Sequence, residues 1–231
     1  MDTSQPQQQH TNRQYEEELR SVRANLLKMG GLVERQITDA IEALTERNTE
    51  KARETIARDA EINRLDVETD ESNVRLLALH QPTASDLRFI TTGLKITTDL
   101  ERMGDNAVNI CERVIELNDE EQLKPYIDIP RMSEVAQSMV KDSLDAFMRN
   151  DTTLAQEVIE RDDEVDQLNY QVYRELLSYM AEDPTTIPRA TRLLFISKYL
   201  ERIADHATNI AEMVVFMVHG KNIRHMDKRP R

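Results

Sequence analysis

Apolar residues recur at helical spacing along most of the chain, and the stretches end at prolines or at polar capping residues. The prolines at these breaks are Pro82, Pro125, Pro130, Pro184 and Pro188. Asn48 and Asp151 precede two of the stretches and are suited to N-cap positions. We therefore predict six helices, over residues 13–47, 49–80, 84–118, 131–149, 152–182 and 188–219. The short connections make consecutive helices antiparallel neighbours.

The second predicted helix carries a row of carboxylates on its apolar side. With Asp59 as the origin of a helical wheel, Asn63, Asp66 and Asp70 lie within about 40° of it. Most of the strongly charged side chains of this helix lie almost opposite. We therefore expect the row to face inward, where a carboxylate must be paired, protonated or bound to a cation. The equivalent row in the fifth helix is Asp162, Asp166, Asn169 and Tyr173.

The third and sixth helices contain two copies of one acidic segment. Residues 100–112 read LERMGDNAVNICE and residues 200–212 read LERIADHATNIAE, with eight of thirteen positions identical. The acids at the second, sixth and thirteenth positions of both segments fall within about 40° of one another on a helix. They are Glu101, Asp105 and Glu112 in the first copy and Glu201, Asp205 and Glu212 in the second. Because the apolar stripe lies to one side of these acids, we expect them at the boundary between core and solvent.

The duplication extends beyond this segment. Residues 29–66 align without a gap to residues 132–169, with eleven identities in 38 positions. We therefore predict an all-α fold made of two tandem, sequence-related three-helix bundles with six long antiparallel helices. The first bundle spans residues 13–120 and the second spans 130–220. Residues 1–12 are predicted to be a disordered polar tail, and residues 221–231 a basic C-terminal tail.

The sixth helix is apolar nearly all round, ending in the run VVFMV at 214–218. Such a helix either packs between the two bundles or meets another protein surface, in a dimer or with a partner. His206 points about 140° away from Glu201, which favours a surface or interface role over a ligand role.

Composition and the absence of known motifs argue against several classes of function. The formal net charge is −13 in 231 residues, which argues against nucleic-acid binding because that binding depends on lysine and arginine. The single cysteine, Cys111, excludes an internal disulfide. We see neither a signal-like segment nor an apolar run of about 18 residues, so we expect a cytosolic protein. The sequence also lacks the E-x-x-H, P-loop and nucleophile-elbow patterns, and no catalytic constellation emerges.

The duplicated acids have two interpretations. If the second and third helices of each bundle pack antiparallel, their acids share a groove of oxygen ligands suited to a divalent or iron-type cation. Alternatively, the acids are boundary residues that form helix caps, i,i+4 pairs or salt bridges to Arg102 and Arg202. The spacing alone leaves both open.

Several stretches resemble the PhoU family of accessory regulators of bacterial phosphate-specific transport. They are MGGLVERQITDAIEAL at 29–44, QPTASDLR at 81–88, the element at 59–66 and 162–168, and the two LER segments, LERMGDNAVNI and LERIADHATNIAE. The resemblance spans the chain except about a dozen residues at each end. It implies two three-helix bundles in a cytosolic, often dimeric protein without enzymatic activity.

The resemblance also implies a function and partners. It implies negative regulation of the phosphate ABC transporter and of the phosphate-responsive two-component system, through contacts with the transporter ATPase subunit and the sensor histidine kinase. Membrane association would then occur only through these partners. The competing hypotheses are a metal-binding helical protein of unrelated role, a metalloenzyme included, and a purely structural helical tether.

Some PhoU proteins bind metal clusters through E/D-x-x-x-D motifs. By resemblance, that motif selects Glu101 with Asp105, Glu201 with Asp205, and Asp162 with Asp166. Two departures distinguish the copies: Asn63 stands at the partner position of Asp59, and Ala204 replaces the usual glycine.

Overall fold

The computed structural model describes residues 5–220, with side chains from residue 13 onward, and this part of the chain is helical without strands. The helices are α1 Gln5–Thr45, α2 Thr49–His80, α3 Ala84–Asn118, α4 Asp128–Arg149, α5 Thr152–Glu182 and α6 Ile187–His219. A single 3₁₀ turn, Pro184–Thr186, leads into α6. The predicted all-α class and the six helices are confirmed.

Helix α6 begins one residue earlier than predicted, and two other helices begin several residues earlier. The first helix starts at Gln5, inside the segment predicted to be a disordered tail. The fourth starts at Asp128 rather than 131, because Pro130 sits in its first turn, where no intrahelical donor is needed. The remaining parts of the predicted tails, residues 1–4 and 221–231, lie outside the described residues.

Local capping chemistry sets several other boundaries. The Asn48 side chain accepts a hydrogen bond of 3.0 Å from the backbone of Lys51 at the start of α2. Asp151 accepts two bonds of 3.0 Å from the first turn of α5, so both predicted N-caps are confirmed. At the other end of the second half, Gly220 adopts a left-handed conformation with φ 67° and terminates α6.

Each half is a three-helix bundle, and the two bundles share one core. Helices α1, α2 and α3 pack on one another, as do α4, α5 and α6, while α3 packs on α6 and α1 packs on α4 across the middle. The Arg88 Nε donates 3.0 Å to the Met217 carbonyl, and His206 Nδ1 lies 2.8 Å from Asp99 Oδ1. These contacts show that α3 and α6 run antiparallel, which fits an approximate twofold axis perpendicular to the two helices.

The contact between α1 and α4 depends on a glycine. A Cβ placed on Gly30 would lie 2.1 Å from Leu144 Cδ1, whereas one on Gly31 would meet nothing within 4 Å. Nearby, Thr38 Oγ1 donates a 3.0 Å hydrogen bond to Gln137 Oε1. Gly30 therefore lets the two helices approach closely.

Helix α6 is apolar nearly all round because it contacts α3 of the first half as well as α4 and α5. Ile203, Ile210 and Val214 are fully buried. The prediction that this helix packs between the bundles is confirmed, and His206 is an interface residue between α6 and α3. No helix within the described part is long and apolar enough to cross a membrane.

Candidate carboxylate grooves

The carboxylate row of α2 lies at the edge of the core and not within it. Asp59, Asp66 and Asp70 are half-buried, and the core positions of α2 lie beside them on the wheel. Val67 and Val74, which flank the row on its other side, are more than half exposed. The expectation that this row faces into the core is therefore wrong, because its acids are only half-buried. The acids lie where α2 meets α3, with one side open to solvent.

The α2 and α3 acids come together in what we call the first groove, formed by Asp59, Asp66, Asp70, Glu101 and Asp105. Burial raises the pKa of Glu101, and the charges of Asp105, Asp66 and Asp59 raise it further. Arg102, whose Nε lies 3.6 Å from Glu101 Oε2, acts in the opposite direction. The acids of α2 and α3 therefore lie close enough in the first half to influence one another.

Further along the first groove, burial also raises the pKa of Asp66 and of Asp70, and the Asp70 charge adds to the effect on Asp66. The Asp70 Oδ1 atom is buried without a hydrogen-bond partner among the described residues. The groove therefore concentrates negative charge that hydrogen bonding does not fully satisfy.

Asp59 differs from the other acids because two amides hold it. Gln36 Nε2 donates 3.2 Å to one carboxylate oxygen, and Asn63 Nδ2 donates 2.9 Å to the other. A Cβ on Gly104 would lie 3.1 Å from Asp59 Oδ1 and 3.3 Å from Gln36 Oε1. The glycine therefore provides the space for this hydrogen-bonded cluster, which joins α1, α2 and α3.

The second groove, formed by Asp166, Glu201 and Asp205, lies between α5 and α6. Burial raises the pKa of Asp205 although part of its surface is exposed, and Glu201 and Asp166 raise it further. Lys198 and His206 lower the pKa of Asp205. Glu201 itself is 93% buried and forms an ion pair with Lys198, three residues before it on α6.

The other predicted acids are placed as follows. Asp162 and Glu212 are half-buried, whereas Glu112 is exposed and lies 3.4 Å from Arg113 Nη2. Within residues 13–220, no three histidine, cysteine, aspartate or glutamate side chains converge as a ready-made set of metal ligands. The cation site predicted from the eleven acids therefore stays a prediction.

Two equivalent ion pairs are absent from the predictions made from the sequence. Arg58 Nη2 lies 2.7 Å from Asp39 Oδ2, and Arg161 Nη2 lies 2.6 Å from Asp142 Oδ2. Asp39 is equivalent to Asp142, and Arg58 is equivalent to Arg161, so the alignment of the two repeats contains the pattern that indicates both ion pairs. They join α1 to α2 and α4 to α5 in the same way.

A cavity of about 370 Å³ opens beside the second groove, between α5 and α6. We call it the tyrosine cavity because Tyr170 and Tyr173 line it, together with Asp166, Lys198 and Glu201. In the sequence, Tyr173 is the last residue of the row that begins with Asp162 and Asp166. The pairing of tyrosines with buried carboxylates depends on how α5 and α6 pack and was not apparent from spacing.

Both halves of the chain match the same protein-family model. The model of the PhoU domain matches residues 26–114 and again residues 129–214. The chain is 43% identical over 218 residues to the phosphate-specific transport system accessory protein PhoU homologue of Pseudomonas putida, covering 94% of this chain and 85% of the relative. It is 46% identical over 208 residues to the homologue of that name in Aquifex aeolicus, covering 90% and 94%.

Solved structures agree with these matches. The crystal structure of PhoU from Pseudomonas aeruginosa superposes with a TM-score of 0.86 at 42% identity, covering 90% of this chain and all of that one. The phosphate transport system regulatory protein PhoU from Streptococcus pneumoniae gives a TM-score of 0.84 at 31% identity, covering 90% and 98%.

Proposed function

Because the chain belongs to the PhoU family, we propose that it is a non-enzymatic, cytoplasmic regulator of phosphate homeostasis. In this role it restrains phosphate-specific ABC transport and keeps the phosphate-responsive two-component system silent when phosphate is plentiful. The proposal is carried by similarity over about nine-tenths of the chain, in both repeats, to proteins named for phosphate-specific transport.

The partners we propose are the ATPase subunit of the phosphate ABC transporter and the phosphate-responsive sensor histidine kinase. Any membrane association would be peripheral and would occur through them, and the chain itself would form a homodimer. The two carboxylate grooves support contact with basic partner surfaces, since clustered negative charge favours and accelerates association with positive charge.

A deletion strain tests this function. We expect loss of the gene to raise phosphate uptake and the expression of phosphate-regulated genes in phosphate-rich medium. Complementation with the wild-type chain should restore both. Unchanged uptake and expression in the deletion strain would refute the regulatory role. Full complementation by a chain with reversed groove charges, such as Asp66→Lys and Glu101→Lys, would favour a structural tether instead.

We also propose that the first groove binds a hard divalent or iron-type cation, which would draw together Asp66, Asp70 and Glu101, since these side chains do not converge on one point among the described residues. The buried, unsatisfied Asp70 oxygen and the raised carboxyl pKa values fit an all-oxygen site for such an ion. A bound cation would neutralise the repulsion among these acids. The side chains would then link α2 to α3.

Elemental analysis of protein purified without affinity-tag metals tests the cation. We expect bound metal in the wild type and in Glu112→Gln, which changes an exposed acid outside the groove. The Glu101→Gln/Asp105→Asn and Glu201→Gln/Asp205→Asn variants separate the contributions of the two halves. Equal metal content in all four proteins would count against both grooves.

A further inference from the structure

The tyrosine cavity combines features that the first groove lacks. Tyr170 and Tyr173 stack at 6.5 Å between ring centroids with 24° between their planes, and both are substantially exposed. The positions equivalent to them in the first repeat are Val67 and Asp70. An aromatic wall is therefore specific to the second half of the molecule.

The floor of the cavity is charged. Glu201 is almost entirely buried, Asp166 is half-buried, and Lys198 is the cation among the residues that line the cavity. Two carboxylates and one ammonium group leave a formal charge of −1, and Asp205 lies close enough to Glu201 and Asp166 to be influenced by both. The cavity therefore favours a cationic occupant.

A guanidinium group of the chain itself lies near the aromatic wall. Arg174, one turn beyond Tyr170 on α5, places its guanidinium carbon 6.0 Å from the centre of the Tyr170 ring. That distance is at the outer limit of a cation–π contact. Aromatic faces beside carboxylates suit arginine better than lysine, because the planar guanidinium group both stacks on rings and forms paired hydrogen bonds to a carboxylate.

We propose that the tyrosine cavity is a socket for an arginine side chain of a partner protein, held by the rings of Tyr170 and Tyr173 and by the carboxylates of Glu201 and Asp166. The volume of about 370 Å³ lies within the range of small-ligand pockets, so it admits a long side chain with part of its neighbours. The socket deepens the proposed regulatory role by naming the chemistry of the contact. It is tested without reference to phosphate regulation.

The test is a nuclear magnetic resonance titration of the full chain labelled with ¹³C-tyrosine, in buffer containing a chelator so that metal binding plays no part. The probe is the peptide acetyl-Ala-Leu-Arg-Leu-Ala-amide, and its control carries citrulline, which is nearly isosteric and neutral, in place of arginine. We expect saturable shifts of the Tyr170 and Tyr173 ring signals. The citrulline peptide should bind at least about tenfold more weakly, because it loses the charge-assisted contacts.

Variants separate the socket from a general acidic attraction. Tyr170→Val installs the residue found at the equivalent position of the first repeat, on an exposed site, and should weaken arginine-peptide binding about fivefold. Lys198→Gln removes the cation that is ion-paired with Glu201 and should strengthen arginine-peptide binding. Val67→Ala, at the matching exposed position of α2, should leave binding unchanged.

Equal binding of both peptides, or unaltered affinity in Tyr170→Val, would overturn the proposal. So would a titration without saturable shifts at the two tyrosines. Weaker binding in Lys198→Gln would also contradict it, since that result would make Lys198 part of the binding surface and not a competitor. Because none of these measurements involves transport or gene expression, their failure leaves the proposed regulatory function intact.

Discussion

At the scale of residues, the repeated ion pairs brace each bundle. The side chains of Arg58 and Asp39 are 37% and 16% exposed, and those of Arg161 and Asp142 are 28% exposed each. Pairs in such partly covered positions are screened less by water than surface pairs. Arg161 also donates a 3.0 Å hydrogen bond to Ser138 Oγ, which fixes its position further.

Replacing either arginine by methionine should therefore destabilise the protein. We expect Arg58→Met and Arg161→Met each to lower the free energy of unfolding by about 1–2 kcal/mol, since a mostly covered aspartate loses its nearest cation, and for Asp39 only the more distant Arg35, at 3.6 Å, remains. Urea unfolding at pH 7 measures the change. Arg53→Met is the control, because that side chain is 63% exposed and 3.8 Å from Glu50; it should cost at most about 0.5 kcal/mol. Equal losses in all three variants would contradict the argument.

The residue scale also shows what sequence could and could not predict. Helix boundaries at Asn48, Asp151 and Gly220 were predictable because capping is local chemistry. The burial of the α2 acids was not predictable. A helical wheel gives the direction of each side chain, but it does not show how much of that side chain a neighbouring helix covers. Contacts such as Gln36 with Asp59 depend on three helices at once and leave no pattern in one segment.

At the scale of elements, the contact between α2 and α3 concentrates negative charge in the first groove. A carboxyl group whose pKa is raised by folding binds a proton more readily in the folded than in the unfolded chain. Between its two pKa values the folded state carries more protons, so this group makes stability fall as pH rises through that window. Glu101, Asp66 and Asp70 all have raised pKa values, so all three groups lower the free energy of unfolding as pH rises.

Neutralising Glu101 should relieve this effect. In chelator, we expect Glu101→Gln to be more stable than the wild type at pH 7 by up to about 1 kcal/mol. The difference should shrink as pH falls toward about 4.5, the ordinary pKa of a glutamate, and should be largely gone below it, because the wild-type carboxyl is then protonated in the folded state. Urea unfolding across pH 4 to 8 follows the trend. Glu112→Gln, outside the groove and next to Arg113, should show no such gain. A Glu101→Gln difference that is constant with pH would indicate a change in packing.

At the scale of the whole molecule, the two repeats meet through equivalent helices. Helix α3 covers α6, and α1 covers α4, so each bundle uses the same two helices to contact the other. The tandem duplication predicted two related bundles from the alignment, but not their shared core, because the contacting faces become apparent only when both bundles are present. Gly30 against Leu144 shows how close that contact is.

Either half alone therefore exposes a large apolar face that a second copy could cover. We expect the fragment 13–122 to form a homodimer in which α3 packs on α3 and α1 on α1, because the missing half is related to it in sequence and by an approximate twofold axis. Sedimentation equilibrium measures the mass, and circular dichroism confirms helicity. Gly30→Leu should weaken the fragment dimer, since Gly30 faces Leu144 of α4 in the full chain and Ile41, the residue equivalent to Leu144, would face it in the fragment dimer. Gly31→Leu, with open space around it, should dimerise as the parent fragment does. A folded, monomeric fragment would show instead that the face between the halves tolerates water, and the bundles would then be independent domains held together by the linker.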